Sequence, residues 1–265
     1  MLLSAGMASM QAQWMETGNF GLNAVTNFLG NTDAVPMNIR TEDIRRFRLN
    51  YDEVYAIGPF GGQVKNGSLL LSPVVDQFYG NGAPGPYSLL HLAAANNNAQ
   101  EGSYRPWMNT GITLTGNADH QYIGQKAGEL DYTDLVIHWS DNPGEFLKDR
   151  LRFIFTSGYD AGAASGAQST EGLEFMRFFP DRYENPLIGI GDFYAANLAD
   201  PTITEPTERV DLLNGRLRIR QLPTSAPMDT LYRFMVVDQT GVVHWRNIPP
   251  GTLGCEWDQV IGPNH

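Results

Sequence analysis

Residues 171–191 read EGLEFMRFFPDRYENPLIGIG, and this stretch decides the fold class. Phe175 and Arg177 alternate with Met176 and Phe178 up to Pro180 and Asp181. A period of two sends successive side chains to opposite faces of a strand, and proline ends the ladder because it has no N–H to donate. Leu187 to Gly191 then reads as a short apolar strand whose glycines permit tight bends or close backbone approach. Looser forms of the same pattern occur at Ile44 to Leu49, followed by Val54 to Gly58, and again at Arg216 to Arg220. They keep no fixed period, so they do not define a repeat array.

Composition agrees with a β chain. The 265 residues include 28 Gly and 16 Pro, with 42% hydrophobic and only 18% charged, a balance that suits short strands and turns and does not suit a helical bundle. No window of eighteen apolar residues exists, so no helix is predicted to span a membrane. The formal charge is −11, and no Lys/Arg-rich run is present, which excludes a nucleic-acid-wrapping role because phosphates must be neutralised. The acidity reads first as solubility, with calcium binding as the other use of so many carboxylates.

The N-terminus, Met1 to Ala12, reads as the end of a secretory signal, a short apolar segment followed by small residues. A basic n-region is missing, since the first basic residue is Arg40, so a buried N-terminal strand or helix is the alternative. Cys255 is the one cysteine and has no internal partner; its neighbours Glu256 and Asp258 argue against a reactive thiolate.

Four segments follow. Residues 1–12 are the signal remnant, 13–49 an irregular segment with short strands, 50–180 a β-sandwich knob, and 181–265 an extended region of hairpins. Thr41-Glu42-Asp43 precedes either a strand at Arg45 to Leu49 or a short helix. Ser68 to Ser72 and Ser88 to Leu92 are strand candidates between Gly-, Pro- and Asn-rich turns, and Ala93 to Asn98 is a surface loop. Asp134 to Trp139 and Leu151 to Thr156 are the richest strands, joined by Ser140-Asp141-Asn142-Pro143-Gly144, and are expected to pair antiparallel. Asn214-Gly215 predicts one hairpin between Val210 to Leu213 and Arg216 to Arg220, and Asp238 to Gly241 a second between Tyr232 to Val237 and Val242 to Trp245. The expected fold is mainly β, an antiparallel β-sandwich or jelly-roll-like domain followed by an extended, hairpin-bearing, fibre-like region.

The order of Trp14…Thr17-Gly18-Asn19…Asn27-Phe28-Leu29-Gly30-Asn31-Thr32-Asp33, Leu151 to Thr156 and Glu171-Gly172-Leu173-Glu174…Ile188-Gly189-Ile190-Gly191 resembles the large secreted tail-fibre-domain proteins of the Bacteroidota. Arg209-Val210-Asp211…Leu222-Pro223 and Val237-Asp238…Trp245-Arg246 are similar to their shaft segments. The resemblance implies secretion or a cell-surface location, β-rich knobs, homotrimers and a C-terminal endosialidase-type chaperone. The chain departs from that pattern by stopping at His265 without the chaperone, so a fragment of a longer protein is expected.

Catalytic signatures are sparse. No Gly-x-Ser-x-Gly elbow, His-Glu-x-x-His helix, Asp-x-Asp-x-Asp-Gly loop or dinucleotide fingerprint occurs. The most suggestive group is Asp119, His120, Asp134 and His138, since a strand-loop-strand unit can bring imidazoles and carboxylates together for acid–base work or a metal. The opposing reading makes them polar residues on outer strand faces, with His138 alternating against a buried Ile137 and Trp139. Asp131, Asp134 and Asp141 are the metal candidates, with calcium the ion they suit and no cofactor required. Glu171 with Glu174, or Asp131 with Asp134, are carboxylate pairs of glycosidase type that read equally well as surface charge. Tyr104, Arg105 and Trp107 could face a sugar, aromatic planes beside a polar group, or pack in the core. The functional expectation is a non-enzymatic fibre or adhesin that binds glycans or another surface. The alternatives are a hydrolase of polysaccharides or esters on a β scaffold, and a purely structural piece of an extracellular assembly.

Overall fold

The computed structural model describes residues 29–94, 103–128, 131–141, 149–158, 166–168, 170–193, 202–213, 215, 217, 233–237, 239 and 241–247. Their fold is mainly β. The N-terminal reading of residues 1–12, the 13–49 segment before Leu29, positions 95–98 of the expected Ala93 to Asn98 loop and Cys255 lie outside the described residues. Ala93 itself is buried at the end of a strand, where its small side chain fits against the core, and is not part of a surface loop.

Strands β1 (Met37–Thr41) and β2 (Ile44–Leu49) form a hairpin whose two turn residues, Glu42 and Asp43, have φ of 52° and 59°. Positive φ at both central positions matches the right-handed twist of the flanking strands, so the ambiguous Thr41-Glu42-Asp43 closes a hairpin instead of capping a helix. Strands β3 (Glu53–Ile57) and β4 (Phe60–Lys65) pair with each other. Then β5 (Leu69–Leu71) leads through the short helix α1 (Val75–Gly80) to β6 (Leu90–Ala93), which lies parallel to it. Next come β7 (Gly111–Gly116), β8 (Asp119–Ala127) and β9 (Thr133–Trp139), and the seven-stranded sheet has the order β1-β2-β5-β6-β7-β8-β9. Because β5, β6 and β7 run parallel, this sheet is mixed and not antiparallel as expected.

A second sheet contains β10 (Leu151–Phe155), β11 (Leu173–Pro180), β12 (Pro186–Ile190) and β13 (Val210–Leu212), in that order. Residues 171–191 form the expected hairpin, with Phe178 opposite Ile188. Its turn is held by Asp181, whose carboxylate accepts the backbone N–H groups of Tyr183 and Asn185, each at 2.8 Å. The sheet runs on past residue 181, the expected boundary, as β12 and β13 lie parallel. Val210 to Leu212 therefore finds its partner in Ile188 to Ile190, while most of Arg216 to Arg220 lies outside the described residues. The expected pairing of 134–139 with 151–156 is also replaced: β9 pairs with β8, Ile137 opposite Ile123, and β10 pairs with β11. Turn residues at 140–144 predict a change of direction but cannot choose a partner; β8 is the longer strand, and where it meets β9 the Gly128 N–H donates to Tyr132 O at 2.9 Å beside Asp131, φ 64°. Residues 1–215 form one compact unit and 216–265 another. In the latter, β14 (Arg233–Val237) and β15 (Val243–Asn247) make the second predicted hairpin.

Register decides the two faces of the seven-stranded sheet. One row runs Leu70, His91, Thr113, Tyr122, His138 across five neighbouring strands. This face is covered by Val75 and Phe78 of α1 and by Ile57, Tyr87, Tyr104 and Met108, which form the core. The adjacent positions face the other way: Met37, Leu49, Leu69, Leu90, Ile112, Ile123 and Ile137 make one continuous row over all seven strands. None of that row is buried. The expectation that Ile137 lies inside with His138 outside is thus reversed: Ile137 is 48% exposed and His138 points toward the buried face. On the aliphatic side Trp139 at the β9 end meets Phe178 of the second sheet at 6.4 Å, while Ile112, Ile123 and Ile137 stay between 38% and 48% exposed; the aromatic and polar side is covered by the core.

Candidate functional site

Three histidines meet the core along that inner face. His91 is fully buried; its Nδ1 accepts the Tyr87 N–H at 3.2 Å, so Nε2 carries the proton and donates to Thr115 Oγ1 at 2.8 Å. This tautomer has no free lone pair facing the hydroxyl, so the Thr115–His91 pair cannot serve as nucleophile and base. Burial, then the neighbouring His120 and Lys65, push the His91 pKa down to about 3.

His120 is also fully buried, with its ring 5.8 Å from Tyr87 and 5.5 Å from His138, centroid to centroid. Burial and then the nearby His138 push its pKa down to about 4, against an opposing pull from the Ser103 backbone. Burial followed by the Arg105 charge lowers His138 as well. All three rings are therefore neutral at physiological pH.

The expected four-residue site does not assemble. His120 and His138 come together, as a strand-turn-strand unit allows, because Tyr122 sits opposite His138 and His120 is two residues away on the same face. Asp134 shares that face but lies opposite Lys126, four residues and about 13 Å along the strand from His138. Asp119, next to His120, faces away from it and groups with Asp141 and Asp149, their carboxylate oxygens within 4.8 Å of one another. Of the metal candidates, Asp131 shapes the β8–β9 turn and Asp134 is exposed; Asp141 alone enters a carboxylate group. Three carboxylates do not by themselves make a site for calcium, which takes about six to eight oxygens.

Of the three sugar-facing candidates, Arg105 is exposed, Trp107 half-buried and Tyr104 buried. Tyr104 is fully buried, and Trp107 packs edge-on against Tyr122 at 5.6 Å with Lys126 over its ring at 5.3 Å. The Tyr104 ring is thus used inside the fold, while Trp107 is half-buried under the Lys126 side chain.

Two polar centres go beyond the sequence reading, which named Glu174 only as half of a carboxylate pair with Glu171. Lys65 is buried, and its Nζ donates to Tyr87 O at 2.5 Å, to Tyr104 Oη at 3.1 Å and to Asn109 Oδ1. Burial pulls its pKa down to about 8. The second is an ion network around Glu174, which pairs with Arg152 at 2.5 Å and with Arg177; Arg177 reaches Glu205 at 2.7 Å, and Glu205 pairs with Arg150. A bulge makes it possible: β11 has one extra residue, Phe175, so that Glu174 faces Ile154 while Met176 faces Phe153. Glu174 and Arg177, three apart, thereby land on one face. Burial tends to raise the Glu174 pKa, and the hydrogen bonds from Arg177 and Arg152 outweigh it, leaving the carboxylate below its ordinary value. Glu174 is thus held as a charged anchor and is not the proton donor of a glycosidase pair. Lys65 and this network left only one signal in the sequence, the departure of Glu174 and Arg177 from strict alternation.

A depression of about 450 Å3 lies at one end of the outer sheet face, lined by Arg46, Leu71, Pro73, Leu92 and Ala94 among others, away from the histidines. Comparison with protein-family models, curated proteins and solved structures finds no match to this chain. What the fold itself defines is a mainly β protein, and among its described residues no helix is long and apolar enough to cross a membrane.

Proposed function

We propose that this protein is a non-enzymatic fibre- or adhesin-like component, secreted or held at the cell surface, that works by docking on glycans or another surface. The observation that supports this most is the continuous aliphatic row on the outer face of the seven-stranded sheet, since large exposed apolar patches mark interaction sites. Neutral, packed imidazoles and a charge-locked Glu174 favour it over the hydrolase reading, which needs a poised acid and base facing a cleft. The Asp119, Asp141 and Asp149 group leaves that reading without a histidine in the same place.

A glycan array together with binding to intact cell surfaces tests the proposal. Retention on either, lost when the aliphatic row is interrupted by a charge, is expected. Absence of binding on both, or hydrolysis of polysaccharide or ester substrates that is lost in His120→Ala, would overturn it.

A further inference from the structure

We propose that the outer face of the seven-stranded sheet is where two copies of this chain pack face to face as a reversible dimer; this rests on the docking reading above. The face has two rows. Leu69, Leu90, Ile112, Ile123 and Ile137 continue the first across the sheet, and Leu71, Leu92 and Leu114 lie in the second, beside Ile39 and Phe47 at one end and Gln121 at the other, where Trp139 is already packed on Phe178 and bounds the open face. Neither row contains a charged residue. Exposure rises from 38% at Ile112 to 44% at Ile123 and 48% at Ile137.

Charge selects the occupant. An anionic membrane or a nucleic acid needs several basic residues to hold it; the two rows carry none, Arg46 at the rim of the depression stands alone, and the chain's net charge is −11. A partner chosen by electrostatic steering would likewise find no charge in the rows to read. A second copy brings an identical flat aliphatic surface, and two such sheets interdigitate about 10 Å apart at a small angle set by their twist. The same face on both partners gives a closed two-fold contact, so association stops at two.

Size sets the strength. Seven strands about 4.8 Å apart are about 30 Å across, and two rows occupy about 13 Å along the strands, giving a flat footprint of about 400 Å2 per copy. That is about half of a standard interface, which corresponds to a reversible contact and not to an obligate one. Because the copies repel through their like charge, added salt screens the repulsion and strengthens association, the reverse of a contact between opposite charges.

Sedimentation equilibrium of the full chain over a range of protein and salt concentrations tests this. Wild type is expected to move from monomer to dimer with concentration, more readily at high salt. Ile123→Glu should associate at least about tenfold more weakly with an unchanged circular dichroism spectrum and melting temperature, while Ile123→Leu associates like wild type. If Ile123→Glu fails to fold, Ile137→Glu on edge strand β9 takes its place. A wild type that stays monomeric, association that weakens with salt, or glutamate variants that dimerise normally each overturn the dimer. A monomeric wild type whose surface or glycan binding is nevertheless lost in Ile123→Glu removes the dimer and keeps the docking function; absence of both binding and dimer removes both.

Discussion

The Nε2 atom of His91 lies 2.8 Å from the hydroxyl of Thr115, across two neighbouring parallel strands and sealed from solvent. Together with the Tyr87 N–H on Nδ1, this contact holds the ring neutral, and His120 beside it is neutral through burial. The unfolded chain binds a proton at each ring near pH 6.5, whereas the folded chain does so only near 3 and 4. Stability from these rings is therefore complete above pH 6.5 and declines as pH falls toward 4. His120→Phe removes one titrating group and keeps a flat ring between Tyr87 and His138. Its urea midpoint should gain on wild type progressively between pH 6.5 and 4; a difference that stays constant with pH would refute the assignment.

Lys65 acts in the alkaline range with the same sign. Its folded pKa of about 8 lies below the 10.5 of the free side chain, so between these values the unfolded chain holds more protons and stability rises with pH. Above pH 10 the tyrosines oppose this, since burial raises Tyr79 and Tyr104 to about 12 and the unfolded chain loses those protons first. Denaturation midpoints are expected to climb from pH 8 to 10 in wild type and to remain level in Lys65→Met.

Breaking the buried ion network should cost far more than breaking an exposed pair. Arg177→Met leaves Glu174 dependent on Arg152 alone, and an undercompensated buried carboxylate costs about 3–5 kcal/mol. Arg40→Ala removes the exposed pair with Asp43 and should change stability by less than about 1 kcal/mol. Urea unfolding of both variants measures the contrast, and comparable losses in the two would contradict the burial argument.

The glycines of the 171–191 hairpin are structural. A Cβ on Gly189 would lie 2.6 Å from Phe193 Cε2, and Gly191 holds φ +131° with Leu213 Cβ 2.9 Å from where its own would be. Overpacking alone costs about 1–3 kcal/mol, and the strained backbone at Gly191 adds to it. Gly189→Val and Gly191→Val should lower the melting temperature and the soluble yield, while the material that folds binds its partners as wild type does. Well-folded double variants with a selective loss of binding would assign the hairpin a functional role instead.

Much of the architecture was legible in the residues. Alternation and turn chemistry identified the 171–191 hairpin, the 233–247 hairpin and the strands at 69–71 and 90–93, because these depend on local backbone preference and short-range pairing. The approach of His120 to His138 was legible for the same reason, since adjacent strands joined by a short turn bring such positions together.

What alternation does not contain is which of its two faces is covered. Ile137 and His138 alternate equally well with either one inside, and the choice was made by distant segments, Phe78, Tyr87 and Tyr104, that supply an aromatic layer only to the histidine side. Partner selection for β9 and β10, the bulge at Phe175 that joins Glu174 to Arg177, and the burial of Tyr104 are likewise long-range outcomes. A mainly β, acidic chain and its local hairpins follow from the residues in order; that the histidines and aromatic rings join Ile57, Leu70, Val75 and Met108 in the core while the aliphatic row faces outward follows only from the folded arrangement, because burial depends on what packs above a strand and not on the strand's own pattern.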